Sequence, residues 1–285
     1  MTEERKRDPP QRFTAVIQRT GATGGGTRLA SSIEPSIVSN ATVNWTRSCG
    51  THVASSIEPN YKVSGTFAEL VSRIWRGRNP FQGFPRGLYQ RDMQGWGSHH
   101  PYLTEAVESL SPRVIIEVGV WKGASAIALA NALKTNGIDG VVVAIDTWLG
   151  SWDHWLNNEW FEHLCFENGA PQIIKKFYEN VVSAGLERHI IPLPLDSTNA
   201  NYLIKAVGIA PDLIHIDAAH DYKAVYSDLE LWWPLLSPGG MLIGDDYSPG
   251  MGWFEVSRAF DEYFGQLGLL PLEHTGNKCR VTKPR

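Results

Sequence analysis

Short apolar runs alternate with segments of helical periodicity along the chain beyond about residue 67. The runs are apolar throughout rather than at every second position, which is typical of parallel strands covered on both faces of a sheet. The alternation therefore predicts an α/β fold with helices on both faces of a parallel sheet. The predicted strands cover 114–118, 141–145, 189–193, 212–216 and 241–243, and the predicted helices cover 67–75, 101–110, 124–133, 171–184, 202–207, 222–236 and 256–264.

Residues 1–65 lack this pattern. They are rich in Gly, Ser and Thr, and the string ASSIEP occurs in them twice, at 30–35 and 54–59. Two copies are too few for a solenoid, which needs at least about three stacked units. The composition instead predicts a weakly structured extension, disordered or acting as a lid, in front of one domain over 66–285.

Composition and charge narrow the class of protein. A hydrophobic content of 42%, a charged content of 20% and a net charge of −4 are typical of a globular protein and favour neither nucleic acid nor an anionic membrane as partner. The three cysteines are scattered and predict neither disulfides nor a zinc site. No apolar run is long enough for a bilayer, and no apolar core follows the charged N-terminus, so the expected location is the cytoplasm.

Acidic residues mark the ends of the predicted strands. Asp146 and Asp217 directly follow the second and fourth strands, Asp245 and Asp246 follow the fifth, and Asp196 lies three residues after the third. Because ligands of open parallel sheets bind at the carboxyl ends of the strands, this pattern predicts a binding site at that edge.

The turn after the first strand has the pattern E-x-G-x-x-x-G-x-S, formed by Glu117, Gly119, Gly123 and Ser125. A nicotinamide dinucleotide site favours G-x-G-x-x-G, and a P-loop requires G-K-[ST]; neither pattern is present. An acid just before the turn would repel a pyrophosphate but could accept hydrogen bonds from an ammonium group.

This turn resembles the first motif of class I S-adenosylmethionine-dependent methyltransferases, in particular the catechol O-methyltransferase type. The string IDAAHDYKAVYSDLELWWPLLSPGGMLIGDDY resembles the sugar and macrolide O-methyltransferases more closely, and the likeness covers about residues 97–281. It implies a Rossmann-like class I methyltransferase sheet, S-adenosylmethionine as cofactor and a small hydroxylated acceptor. Homo-oligomerisation stays open.

The resemblance also implies roles for individual cofactor-site residues. Glu117 would lie near the methionine moiety, Gly119 and Gly123 would give backbone room, and Ser125 would bond the cofactor carboxylate. Asp146 would accept both ribose hydroxyls. Trp148 would flank the adenine, and Asp196 or Ser197 would meet the adenine edge.

Three carboxylates are predicted to meet beyond the fourth and fifth strands. Asp217, Asp245 and Asp246 would repel one another and raise each other's pKa without a cation. A hard divalent ion removes that cost, so the sequence predicts Mg²⁺ or a similar ion there. Relatives often have Glu-Asp or Asp-Asn where this chain has Asp-Asp, which leaves the identity of the metal open.

His220 is the predicted general base. It lies three residues beyond Asp217, where catechol-type relatives hold a lysine and the sugar-type relatives a histidine. Metal coordination at Asp217 would lower the pKa of an acceptor hydroxyl, and His220 would take the proton.

Further aromatic and polar residues lie near these motifs. His215 is expected to be a buried core residue. His99 and His100 belong either to a solvated loop or to the site. Tyr247, Trp253 and the tryptophan-rich segment 152–160 are candidates for the acceptor wall, whereas Asp221 and Asp228 are expected to cap and solvate a helix.

The leading interpretation is metal-assisted O-methylation of a sugar, polyketide or phenol. A noncatalytic cofactor-binding scaffold is the alternative from another class. A nucleic-acid methyltransferase would want a basic groove and an Asn-Pro-Pro-Tyr-like motif, and this motif is absent.

Overall fold

The computed structural model describes residues 65–250 and 252–285. Its centre is a seven-stranded sheet with the order β3-β2-β1-β4-β5-β7-β6. Strands β1 to β5 are parallel, and only β7 runs antiparallel to both of its neighbours. The strands are β1 Val114–Val118, β2 Val141–Ile145, β3 Ile190–Leu193, β4 Leu213–Ile216, β5 Met241–Gly244, β6 Glu273–Thr275 and β7 Lys278–Thr282.

The five predicted strands are confirmed to within one residue at each end. The β6–β7 hairpin was not predicted, because β6 is exposed throughout and Lys278 and Arg280 interrupt the apolar pattern of β7. The extension predicted over 1–65 lies outside the described residues, except for Gly65.

Nine α-helices accompany the sheet in the described ranges. The predicted helix over 222–236 is shorter than expected, because Pro234 lies in a 3₁₀ turn that ends it. The tryptophan-rich segment forms two short helices, α4 and α5. The helices are α1 Thr66–Trp75, α2 Pro101–Leu110, α3 Ala124–Thr135, α4 Trp152–Leu156, α5 Asn158–His163, α6 Ile173–Ser183, α7 Ser197–Ala206, α8 Tyr222–Trp232 and α9 Phe254–Gln266.

Buried apolar clusters cover both faces of the sheet. In β1, Ile116 and Val118 face one cluster and Ile115 faces the other, so the alternation of a strand distributes its side chains between two cores. Glu117 has the same orientation as Ile115 and is the charged exception in a strand that is buried at all five positions. Among the described helices, none combines the length and apolar character needed to cross a membrane.

Candidate active site

A cavity of about 980 Å³ opens at the carboxyl ends of the central parallel strands. This is at the upper end of the size range of small-molecule sites, about 300–1,000 Å³. Strand order reverses between β1 and β4, and open α/β sheets bind ligands at such a point. Nine of the predicted site residues line the cavity: Gly119, Ser125, Asp146, Asp196, Ser197, Asp217, His220, Asp245 and Asp246. Glu117, Gly123 and Trp148 do not line it.

Gly119 allows the ends of β1 and β4 to approach closely. Its φ is +83°, and a Cβ added there would lie 1.8 Å from the carbonyl oxygen of Asp217. Only glycine fits such a position without moving the backbone. Gly119 therefore sets the floor of the cavity by letting the two strand ends meet.

Gly123 gives room to a side chain rather than to a ligand. A Cβ at this residue would lie 2.7 Å from Cδ2 of Phe177, which belongs to the buried core. The space beside the Cα of Gly123 is thus filled by an aromatic ring from α6, and its predicted role toward the cofactor stays a prediction of the sequence.

Asp146 holds the glycine turn in place. Its Oδ2 accepts hydrogen bonds from the backbone N–H groups of Val120 and Trp121, both at 2.8 Å, and its Oδ1 accepts from Trp148 N at 2.7 Å. Burial raises the pKa of this carboxyl, and the three backbone bonds oppose that rise. A carboxylate has about four acceptor positions, so accepting both ribose hydroxyls would require exchange of one backbone bond.

Trp148, which the resemblance places beside the adenine, does not line the cavity. Its side chain is 2% exposed, its ring packs against Phe177 with centroids 4.8 Å apart, and its indole N–H donates to the carbonyl of Trp121 at 2.8 Å. Trp121 lines the cavity instead and stacks on His154 at 4.5 Å and 15°. The glycine turn therefore supplies one of the aromatic side chains of the cavity wall, Trp121.

The two residues after β3 differ in availability. Asp196 caps α7 by accepting from Asn199 N at 2.9 Å, and hydrogen bonds from Asn199 lower its pKa. The Ser197 hydroxyl donates to Asp228 and accepts from the indole N–H of Trp232 at 2.8 Å. Because the Ser197 hydroxyl already donates one hydrogen bond and accepts another within the protein, Asp196 is the better placed of the two residues to meet a ligand.

Glu117 and His215 form a buried pair on neighbouring strands. His215 Nδ1 lies 2.9 Å from Glu117 Oε1, and both side chains are fully buried. Burial raises the pKa of Glu117 to about 8 and lowers that of His215 to about 3, which favours the neutral form of each. The other carboxyl oxygen of Glu117, Oε2, has no hydrogen-bond partner among the described residues.

A lysine that the sequence analysis missed reaches the carboxylate cluster. Lys278 in β7 is fully buried; its Nζ bonds the Oδ2 of Asp245 and lies 3.3 Å from Nε2 of His215. The other oxygen of Asp245 accepts from Asn277 Nδ2 at 2.7 Å. Burial and the neighbouring Asp245 raise the pKa of Asp217 well above its usual value.

Asp246 pairs with His220. Nε2 of His220 lies 3.0 Å from Oδ2 of Asp246, and its ring stacks on Trp253 at 4.2 Å and 12°. Nδ1 of His220 is 4.0 Å from Oδ2 of Asp153 in α4. The predicted metal triad is thus divided: Asp217 and Asp245 lie with Lys278, and Asp246 orients the histidine.

The tryptophan-rich segment supplies part of the cavity wall. His154 and Trp160 line the cavity, whereas Trp152 is 72% exposed. Buried Lys122 connects this segment to the glycine turn, since its Nζ lies 2.9 Å from His163 Nδ1 and 2.5 Å from Asp92 Oδ2.

Comparisons with known proteins agree with this architecture. Residues 116–247 match the profile of a family described as a methyltransferase domain. A curated Sinorhizobium fredii protein, described as uncharacterized protein y4gI, is 27% identical over 151 residues, or 53% of this chain. The match spans only 15% of that relative's length.

The solved structure of an O-methyltransferase shares the fold of this chain. The O-methyltransferase NovP is 20% identical and superimposes with a TM-score of 0.51, over 64% of this chain and 78% of its own. An O-methyltransferase from Bacillus cereus in complex with SAH is 17% identical, with a TM-score of 0.46 over 77% of this chain and 98% of its own. At 20% identity the likeness to NovP concerns the fold alone.

Proposed function

We propose that this protein transfers a methyl group from S-adenosylmethionine to a hydroxyl of a small molecule, since residues 116–247 match a methyltransferase-domain profile and form the centre of a sheet whose strand order reverses at the cavity. The observation that carries the proposal is His220, held by Asp246 and Trp253 on the wall of a cavity at the strand ends. A histidine held in this way suits proton transfer near neutral pH.

The cavity floor beside β1 is the part that we propose holds the cofactor's methionine end. Glu117 is fully buried, favours its neutral form and does not line the cavity, so its role near the methionine moiety stays a prediction of the sequence. Ser125 and the Gly119 backbone line the adjoining part of the cavity. When bound, S-adenosylmethionine supplies an electrophilic methyl group on a sulfonium.

His220 takes the proton of the acceptor hydroxyl at Nδ1. The Asp246 carboxylate accepts from Nε2–H, which leaves the lone pair on Nδ1 for the substrate. The imidazolium that forms is stabilised by Asp246 on one side and by Asp153, 4.0 Å from Nδ1, on the other. Ser125 and the Gly119 backbone would hold the cofactor, which would supply its methyl group to the acceptor oxygen and leave as the thioether, while the hydroxyl proton stays on His220.

The predicted magnesium ion fits the donor type but not the arrangement of these carboxylates. Oxygen ligands suit Mg²⁺. Both oxygens of Asp245 already accept hydrogen bonds, one of them from the Lys278 ammonium, and Asp246 is paired with His220. We therefore derive no step through a metal, and Mg²⁺ at Asp217, Asp245 and Asp246 stays a prediction of the sequence.

Methyl-group transfer is tested with the full chain, labelled S-adenosylmethionine and a panel of sugars, catechols and hydroxylated polyketides. We expect label in an O-methylated product, and we expect His220→Gln to lower kcat by about 10²–10⁴, the usual contribution of general acid–base catalysis. His189 directly precedes β3 and so lies at the amino ends of the parallel strands, whereas the cavity lies at their carboxyl ends. His189→Gln is therefore the matched control and should keep the wild-type rate. Undiminished transfer by His220→Gln would refute the assigned base, and cofactor binding without transfer across the panel would favour the noncatalytic scaffold.

A further inference from the structure

Lys278 is a buried cation at the reacting end of the cavity. Its side chain is 0% exposed, and lysine is almost never fully buried unless it is paired. It lies at the first position of β7, next to the turn that brings Asn277 to Asp245. The antiparallel pairing of β5 with β7 places this position beside the end of β5.

The partners of Lys278 are the groups that the sequence assigned to a metal. Nζ bonds Asp245 Oδ2 and lies 3.3 Å from His215 Nε2. Ligand atoms of His215, Asp217 and Asp245 lie within 4.8 Å of one another, a spacing that could also hold an ion. An ion held by these atoms would lie close to the Lys278 ammonium, and two positive charges at close range repel strongly in a buried site. Only one of the two cations can therefore hold the cluster.

We propose that Lys278 is the resident cation of this site: its ammonium neutralises the strand-end carboxylates in place of a divalent metal ion and positions Asp245 beside Asp217. The role of Lys278 in catalysis rests on the proposed methyl transfer. The exclusion of a metal ion does not, because it can be measured by metal binding alone.

The chain offers a matched control for removal of the charge. Lys283 belongs to the same C-terminal segment, but its Nζ donates to backbone carbonyls, among them those of Trp233 at 2.9 Å and Leu236 at 2.7 Å. Lys278→Met removes the ammonium and keeps most of the side-chain volume. Lys283→Met removes an ammonium that contacts no carboxylate among the described residues.

The experiment measures Mn²⁺ binding to the full chain by electron paramagnetic resonance, without cofactor or acceptor. We expect wild type, Lys283→Met and Lys278→Arg to bind no stoichiometric Mn²⁺ below about 1 mM, the weak end of the protein affinity range for hard divalent ions. Lys278→Met should bind one Mn²⁺ at least about tenfold more tightly than wild type, and Asp245→Asn in that background should abolish the gain.

Two results would overturn the proposal. One is stoichiometric Mn²⁺ binding by wild type that Asp245→Asn removes, and the other is a folded Lys278→Met that gains no binding. If Lys278→Met does not fold, the Mn²⁺ titration of wild type and of Asp245→Asn still tests whether a metal ion binds at this site. Failure of methyl transfer would leave the binding result unchanged, so the two proposals fail separately.

Discussion

Replacing Gly119 by alanine should damage the fold and the site together. The new Cβ would lie 1.8 Å from Asp217 O and 2.6 Å from Ala218 Cα, whereas real Cβ atoms essentially never come within 3.0 Å of such atoms. The end of β1 or that of β4 must therefore move by more than 1 Å. The affected strand ends are held by the bond from Asp217 N to Val118 O at 2.8 Å.

Two costs add at this position. A left-handed φ at a non-glycine residue costs roughly 1–2 kcal/mol, and overpacking of a tight core costs about 1–3 kcal/mol more. Gly83 has nearly the same φ, +80° against +83°, but nothing lies within 4 Å of its Cβ position. We therefore expect a loss of about 2–5 kcal/mol for Gly119→Ala and of about 1–2 kcal/mol for Gly83→Ala.

Urea unfolding of the two variants and wild type measures this difference, provided that the m-values agree. Gly119→Ala should also bind S-adenosylhomocysteine more weakly, because its backbone lines the cavity. An equal loss of unfolding free energy in the two variants would contradict this expectation, since it would show that the ends of β1 and β4 can move apart without an energetic penalty.

Three further predictions concern buried Glu117, buried Lys122 and the N-terminal extension. The folded-state pKa of Glu117 is raised from 4.5 to about 8, so the stability that its neutral form contributes is lost as the pH rises. Between pH 6.5 and 8 wild type should lose about 2 kcal/mol of unfolding free energy, and Glu117→Gln should lose clearly less; equal losses in urea titrations would contradict this. Lys122→Met removes the contacts to Asp92 and His163, so limited proteolysis should cut 150–166 faster than in wild type, and an unchanged cleavage rate would show that the lysine does not anchor this segment. Deletion of residues 1–60 should leave the affinity for S-adenosylmethionine intact; a large loss on calorimetric titration would mean that the extension completes the site.

The sequence predicted the parallel strands well because their signal is local. A buried strand between two helical layers is apolar at almost every position, and β1 and β2 are buried throughout. The carboxylates that follow such strands are then brought together by topology alone. For this reason Asp146, Asp217 and Asp245 were found on one cavity without knowledge of any contact.

The residues that sequence reasoning missed depend on packing rather than on pattern. Lys278 comes to the site from a hairpin strand whose alternation is broken by charged residues, so no apolar run marks it. Trp148 and Trp121 are both tryptophans near the glycine turn, and only backbone geometry decides that one is buried and the other lines the cavity. The same holds for Gly123, whose neighbour Phe177 lies more than fifty residues away in the chain.

Calorimetric titration of the full chain with S-adenosylhomocysteine, with NADH titrated in parallel, tests the central claim most directly. We expect one S-adenosylhomocysteine bound per chain, no binding of NADH, and a clear loss of affinity in Ser125→Ala. A folded wild-type protein that binds NADH tightly, or that binds S-adenosylhomocysteine no better than NADH, would contradict it.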